Sequence, residues 1–154
     1  MKHTIILVLA IAALIHSTAQ AAQYEILVTH SIIISPSQAN LQTLVQKQIL
    51  IDTATRTLEL PISPVCSSST SCPEMLHTVP FKITQVSEKN GIVVLVKAQG
   101  TLITNGHTVP TVIQINSNPD NTMNISIINS GDCKGMHSDF IGSPAQTAAF
   151  LNVL

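Results

Sequence analysis

The sequence predicts an all-β fold: an antiparallel sandwich or small barrel with a C-terminal meander. Three observations predict it. Along most of residues 22–154 apolar residues alternate with polar ones, the period-two pattern of a strand with one buried face. Asn90-Gly91 and Asn105-Gly106 interrupt the alternation, and Asn-Gly pairs readily take the positive φ of hairpin turns. Aromatic residues are 3% and charged residues 10% of the chain, with no Trp, so the core is aliphatic and disorder driven by charge is disfavoured.

The elements follow in order. Residues 1–21 read as a secretory signal. Lys2 and His3 open it, Ile5 to Ile15 is an unbroken apolar run, and Ala19-Gln20-Ala21 fits the small-x-small cleavage pattern. Residues 22–154 are then one β-rich domain, an ordinary length for a single core. In Tyr24–Ile34, Ile26, Val28, Ile32 and Ile34 share one face. Pro36 ends that strand. Ser37–Val45 has Leu41, Leu44 and Val45 at helical spacing, and reads either as a short helix capped by Ser37 or as a loop. Ile49–Ile51 and Thr57–Ile62 form a hairpin about Asp52-Thr53-Ala54-Thr55, with Pro61 marking an edge or strand end. Residues 63–80 are a break holding Pro64, Pro73, Pro80, a serine run and two cysteines.

The second half is more regular. Phe81–Val86 is a strand, followed by a turn at Asn90-Gly91. Ile92–Val96 is continuously apolar, hence expected to be central and covered on both faces. Gly100 marks a bulge or bend. Thr101–Thr104 and His107–Ile115 are the arms of the Asn105-Gly106 hairpin, with Val109, Thr111, Ile113 and Ile115 on one face. After a turn at 118–121, Met123, Ile125 and Ile127 face inward on the next strand. Beyond Gly131 the alternation stops. Ser143-Pro144-Ala145-Gln146 has capping-box spacing with Pro at the first helical position, so one short terminal helix is expected.

Composition excludes several functions. Loss of Lys2 with the signal leaves six basic residues against eight acidic ones and no basic run, so nucleic acid is not an expected partner. No segment after the signal is long and apolar enough to span a bilayer as a helix. Few aromatics argue against a sugar-stacking site. There is no Gly-x-Ser-x-Gly elbow, His-x-His or His-Glu-x-x-His, nor a Gly-rich phosphate loop. Glu59 and Glu74 are isolated, and Asp132 and Asp139 sit on an expected loop.

Three cysteines remain, Cys66, Cys72 and Cys133. Export exposes them to oxidation. Cys66 and Cys72 bracket a short polar stretch and are expected to pair, leaving Cys133 as the odd thiol. A bond from either to Cys133 is the competing arrangement.

The most suggestive chemistry is Asp132-Cys133-Lys134-Gly135-Met136-His137. A thiolate and an imidazole this close reach one metal, and the cluster resembles the C-terminal Cys and His of cupredoxin-type proteins. That resemblance implies a copper site using Cys133, His137 and an upstream His107 or His77, with a Met as weak ligand. It departs from the pattern in order, since Met136 precedes His137, and Ser130-Gly131-Asp132 stands where an aromatic precedes the Cys. Low charge and Thr- and Asn-rich strands also occur in pilus subunits that exchange strands at a sheet edge. Here Val153, rather than an aromatic, is penultimate.

The expectation is therefore an exported, periplasmic or extracellular protein that is not an enzyme. It needs no cofactor and acts as a binding or structural protein toward an unidentified protein or small-molecule partner. The alternative is a metal-binding, cupredoxin-like protein or an enzyme using the Cys133 and His137 region.

Overall fold

The computed structural model describes residues 23–62, 77–90, 92–104, 107–130 and 136–145. Eight antiparallel strands follow one another around a closed barrel in chain order. They are β1 (Gln23–Ile33), β2 (Gln48–Asp52), β3 (Thr57–Ile62), β4 (His77–Lys89), β5 (Ile92–Thr104), β6 (His107–Ser117), β7 (Met123–Asn129) and β8 (His137–Pro144). The choice between sandwich and barrel is resolved by the seam, where β1 pairs with β8 from Ile26↔Pro144 to Ile33↔Asp139. One 3₁₀ segment, Pro36–Leu44, lies between β1 and β2.

Alternation does the sorting. Ile49, Ile51, Leu58, Leu60, Phe81, Ile83, Val96, Ala98, Ile113, Ile115, Ile125, Ile127 and Phe140 are buried and form one core inside the barrel. Outward positions on β5–β7 carry Lys97, Gln99, Gln114, Asn116, Asn124 and Ser126. A barrel that spans lipid needs the reverse, apolar residues outside and polar ones within. The outward positions of this wall are mixed, with Leu95, Val112 and Ile128 among the polar residues, and no described helix is long and apolar enough to cross a membrane. Glycine accommodates the Phe81 ring at one place and Ile26 at another. A Cβ on Gly100 would lie 2.6 Å from the Phe81 ring, and one on Gly142 would lie 2.6 Å from an Ile26 methyl.

Because the barrel is up-and-down, its two ends differ. At one end the connections are short: Thr53–Arg56 between β2 and β3, two residues between β4 and β5, and Asn118–Thr122 between β6 and β7. Their left-handed positions are Arg56, Asn90 and Asn121, and Asn tolerates that conformation best among residues with side chains. Arg56 is held there by Nε donating to the Ile83 carbonyl at 3.2 Å and Nη2 to that of Thr84 at 3.2 Å. At the other end the 3₁₀ segment closes the mouth, burying Leu41 and Leu44 completely.

Strand ends at that mouth stand beside only one neighbour. β2 pairs with β3 only through Thr57–Glu59, so Pro61 has β4 alone beside it. Pro80 precedes the first β4–β5 pair at Lys82, and Pro110 precedes the first β6–β7 pair at Thr111. All three prolines thus sit where a ladder hydrogen bond is not required. β1 has β2 beside it only through Leu27, and there it carries two bulges, between Val28 and His30 and between Ser31 and Ile33. Proline and bulges both discourage a foreign strand from adding to an edge.

Several expectations are corrected. The first bulge reverses the phase of β1, setting Ser31 opposite inward Phe140, and the second restores it at Ile33 opposite Asp139. Ile32, caught between them, is 62% exposed instead of buried, while Ile34 packs against the core as expected. Residues 77–80, expected within the break, already belong to β4. Gly100 is neither bulge nor bend; the irregularities of the β4–β5 pair lie at Ile83/Gln85 and Ser87/Glu88. The apolar run Ile92–Val96 is covered on one face only, because a single-walled barrel has one interior, and Ile92 stays exposed. Ser143 and Pro144 end β8 rather than start a helix, and the Ala145 amide donates to the Glu25 carbonyl at 2.8 Å. Residues 146–154 lie outside the described residues.

Candidate functional site

Among the described residues the interior is apolar except beneath the 3₁₀ segment. There β6, β7 and β8 each present a polar residue at an inward position: Thr111, Asn129 and Ser138. Thr111 and Asn129 are directly paired across the strands. Gln38 descends from the 3₁₀ segment to meet them, and all four residues are buried.

Their hydrogen bonds form one network. Gln38 Nε2 donates to Asn129 Oδ1 at 2.8 Å. Ser138 Oγ donates to Gln38 Oε1 at 2.6 Å and accepts from the Ser35 amide at 3.1 Å. Thr111 Oγ1 lies 3.2 Å from Asn129 Oδ1 and 3.0 Å from the Val109 carbonyl. Ser37 Oγ donates to Met136 Sδ at 2.7 Å, tying the start of the segment to the residue before β8. One group is left over: Asn129 Nδ2 is buried with no acceptor. A buried amide donor without a partner costs about 1–3 kcal/mol. The cluster contains only amides and hydroxyls, so it can orient and recognise but has no group to act as acid or base near neutral pH.

The sequence-predicted candidates fall elsewhere. His137 opens β8 and is half exposed, with Nε2 3.5 Å from Asp139 Oδ2. Ser126 Oγ donates to Asp139 Oδ1 at 2.7 Å. This is not the order of a nucleophilic triad, because the carboxylate stands between hydroxyl and imidazole and the imidazole does not touch the hydroxyl. His107 opens β6, five residues beyond Val112 in the row Val112–Ile128–His137. Five strand residues span about 16 Å, so these two imidazoles do not share one metal position on the wall. His77 opens β4, two strands further round. Among the described residues no group of three His, Cys, Asp or Glu is arranged to hold a metal. Cys66, Cys72 and Cys133, and with them the disulfide, lie outside the described residues.

A concavity of about 480 Å³ lies on the outer wall of β1–β3, where Glu25, Asp52 and Glu59 surround Leu50. Asp52 caps the β2–β3 turn. Its Oδ1 accepts from the Ala54 and Thr55 amides at 2.8 and 3.0 Å, and chiefly the Thr55 amide, with the Gln23 side chain, lowers its pKa below 3.8. Tyr24 at the groove edge is raised above 10.0, first by burial and then by the Glu88 carboxylate 3.4 Å from its hydroxyl.

Comparison with protein-family models, curated proteins and solved structures gives no match, so every role assigned to these residues rests on their own geometry.

The buried cluster is not legible in the sequence because Gln38 lies in the segment after Pro36 that reads equally as helix or loop, and Ser138 follows a stretch without a period. Thr111 and Asn129 did leave a signal, since each stands at an inward position of a strand whose other inward residues are Val, Ile or Met.

Proposed function

We propose that this is an exported, non-enzymatic binding protein of the periplasm or extracellular space, acting through the end of the barrel closed by the 3₁₀ segment. The observation that supports it is the uncharged polar layer in an otherwise apolar interior, with one amide donor unused. Such a layer selects a partner by shape and hydrogen bonding rather than transforming it. The signal-like residues 1–21 support export. In that compartment Cys66 and Cys72 form a disulfide, which non-reducing peptide mapping would recover as one linked peptide.

The test is to purify the processed protein from the exporting cell, determine its N-terminus and bound metal, and identify co-purifying molecules by native mass spectrometry. Cleavage after Ala21 and a metal-free protein carrying a small molecule or partner are expected. Stoichiometric copper or zinc would overturn the reading in favour of a metal protein or enzyme using Cys133 and His137. Retention of residues 1–21 in a cytoplasmic protein would remove the export half.

A further inference from the structure

We propose that the 3₁₀ segment occupies an internal site for an aliphatic carboxamide, a straight chain of roughly eight carbons bearing a primary amide. This rests on the reading of the protein as a binding protein and names its ligand class.

The segment itself has the composition of such a ligand. It lowers one carboxamide, Gln38, and two aliphatic side chains, Leu41 and Leu44, into the barrel, and all three are fully buried. Apart from these the described interior is built mainly by the strands. Two leucine side chains carry eight carbons between them, which sizes the chain that fills the same space at native packing density.

The head group is set by what Gln38 fails to do. Two carboxamides can pair through two N–H···O bonds. Gln38 makes only one of these to Asn129, because its own oxygen accepts from Ser138. Asn129 Nδ2 is left without an acceptor. A ligand amide at this position donates to Asn129 Oδ1 as Gln38 does and accepts from Nδ2 as Gln38 does not. A carboxylate is disfavoured twice. It has no donor for Asn129 Oδ1, and the hydrogen-bonded cluster holds no cation to offset its buried charge.

The segment's own backbone is irregular. Ser35 precedes it without a side-chain cap, and Gln38 has non-helical angles of φ −111 and ψ 27. Short 3₁₀ turns have poorer hydrogen-bond geometry than α-helices. Exposed Ile32, Ile33 and Ile103 stand at the same end of the barrel, giving an aliphatic chain an apolar border to cross.

The experiment is a titration of ¹⁵N- and methyl-labelled protein, residues 22–154, with octanamide and separately with octanoate, followed by NMR. Octanamide is expected to shift the Asn129 side-chain NH₂ signals saturably and to abolish contacts of the Leu41 and Leu44 methyls with β3 and β5. Octanoate is expected to bind at least tenfold more weakly. Asn129→Leu is expected to weaken octanamide about tenfold or more. Should that variant not fold, the wild-type comparison of amide with carboxylate decides alone. An Asn129 amide that contacts a long-lived water and does not respond to octanamide would overturn the proposal and make this a hydration site. Equal binding of octanoate, or unchanged binding to Asn129→Leu, would overturn it as well. A different small molecule found by native mass spectrometry would sink this inference while leaving the binding-protein reading intact.

Discussion

Gly142→Ala tests the closure of the barrel. Gly142 faces inward on β8, opposite Val28 of β1 and Met123 of β7. An added methyl would meet Ile26 Cγ2 at 2.6 Å, the Leu27 carbonyl oxygen at 3.0 Å and Ile125 Cδ1 at 3.1 Å. Carbon contacts in a packed core sit near 3.5–4.0 Å, so each neighbour must retreat by several tenths of an ångström or more. The two isoleucine methyls can rotate. The Leu27 oxygen cannot move alone, because it belongs to the backbone of the strand that closes the seam. Overpacking of this kind costs about 1–3 kcal/mol, and the backbone contact puts the expectation near 2 kcal/mol. Urea unfolding should show a lower midpoint at unchanged slope. Ser143→Ala, one residue along and facing outward, serves as the comparison and should stay within about 0.5 kcal/mol of wild type. A Gly142→Ala protein as stable as Ser143→Ala would mean that β1 does not approach β8 this closely, and the argument for a closed seam would fail.

Other expectations follow from the same structure. Leu41→Ala or Leu44→Ala should each cost about 2–5 kcal/mol in urea unfolding; a cost below about 1 kcal/mol would show that the segment is not packed in the mouth. Asp52 and Asp120 both titrate below 3.8 in the folded protein, the second held mainly by the Thr122 hydroxyl and amide. Their contribution is present above the unfolded value of 3.8 and is lost as pH falls through the lower folded values. Stability should therefore fall with acidification across that window, and less so in Asp52→Ala; an identical pH profile for that variant would refute the role given to the turn.

Much of the fold was legible, and the reason is physical. In β3, β6 and β7 every inward residue lies two positions from the next, so Leu58 to Ile62, Val109 to Ile115 and Met123 to Ile127 announced both strand and face. The turns at 90–91 and 118–121 carry residues suited to left-handed backbone. Illegible parts are those where the period breaks. The first of two bulges reverses the face of β1 and the second restores it, so Ile32, between them, reads as core and lies outside. β8 alternates Ser138, Phe140 and Gly142 inward, and a small polar residue and a glycine give no hydrophobic signal, although both are needed where β1 and the 3₁₀ segment come close. The site was less legible than the fold. His137 and His107 drew attention as metal-ligand types, whereas the buried cluster uses Gln, Thr, Asn and Ser, whose side chains are ordinary on any surface. Only burial distinguishes them, and burial of Gln38 depends on a segment with no strand period at all.

The claim on which this account most depends is that Gln38 and Asn129 are joined across the mouth and hold the 3₁₀ segment in place. A double-mutant cycle of Gln38→Leu, Asn129→Leu and the pair, read by urea unfolding, tests it directly. The two residues share a buried hydrogen bond of 2.8 Å, so a coupling energy of about 0.5–3 kcal/mol is expected, with the double variant closer to wild type than the sum of the singles. Effects that simply add, to within about 0.3 kcal/mol, would show that the two side chains do not meet and would contradict the account.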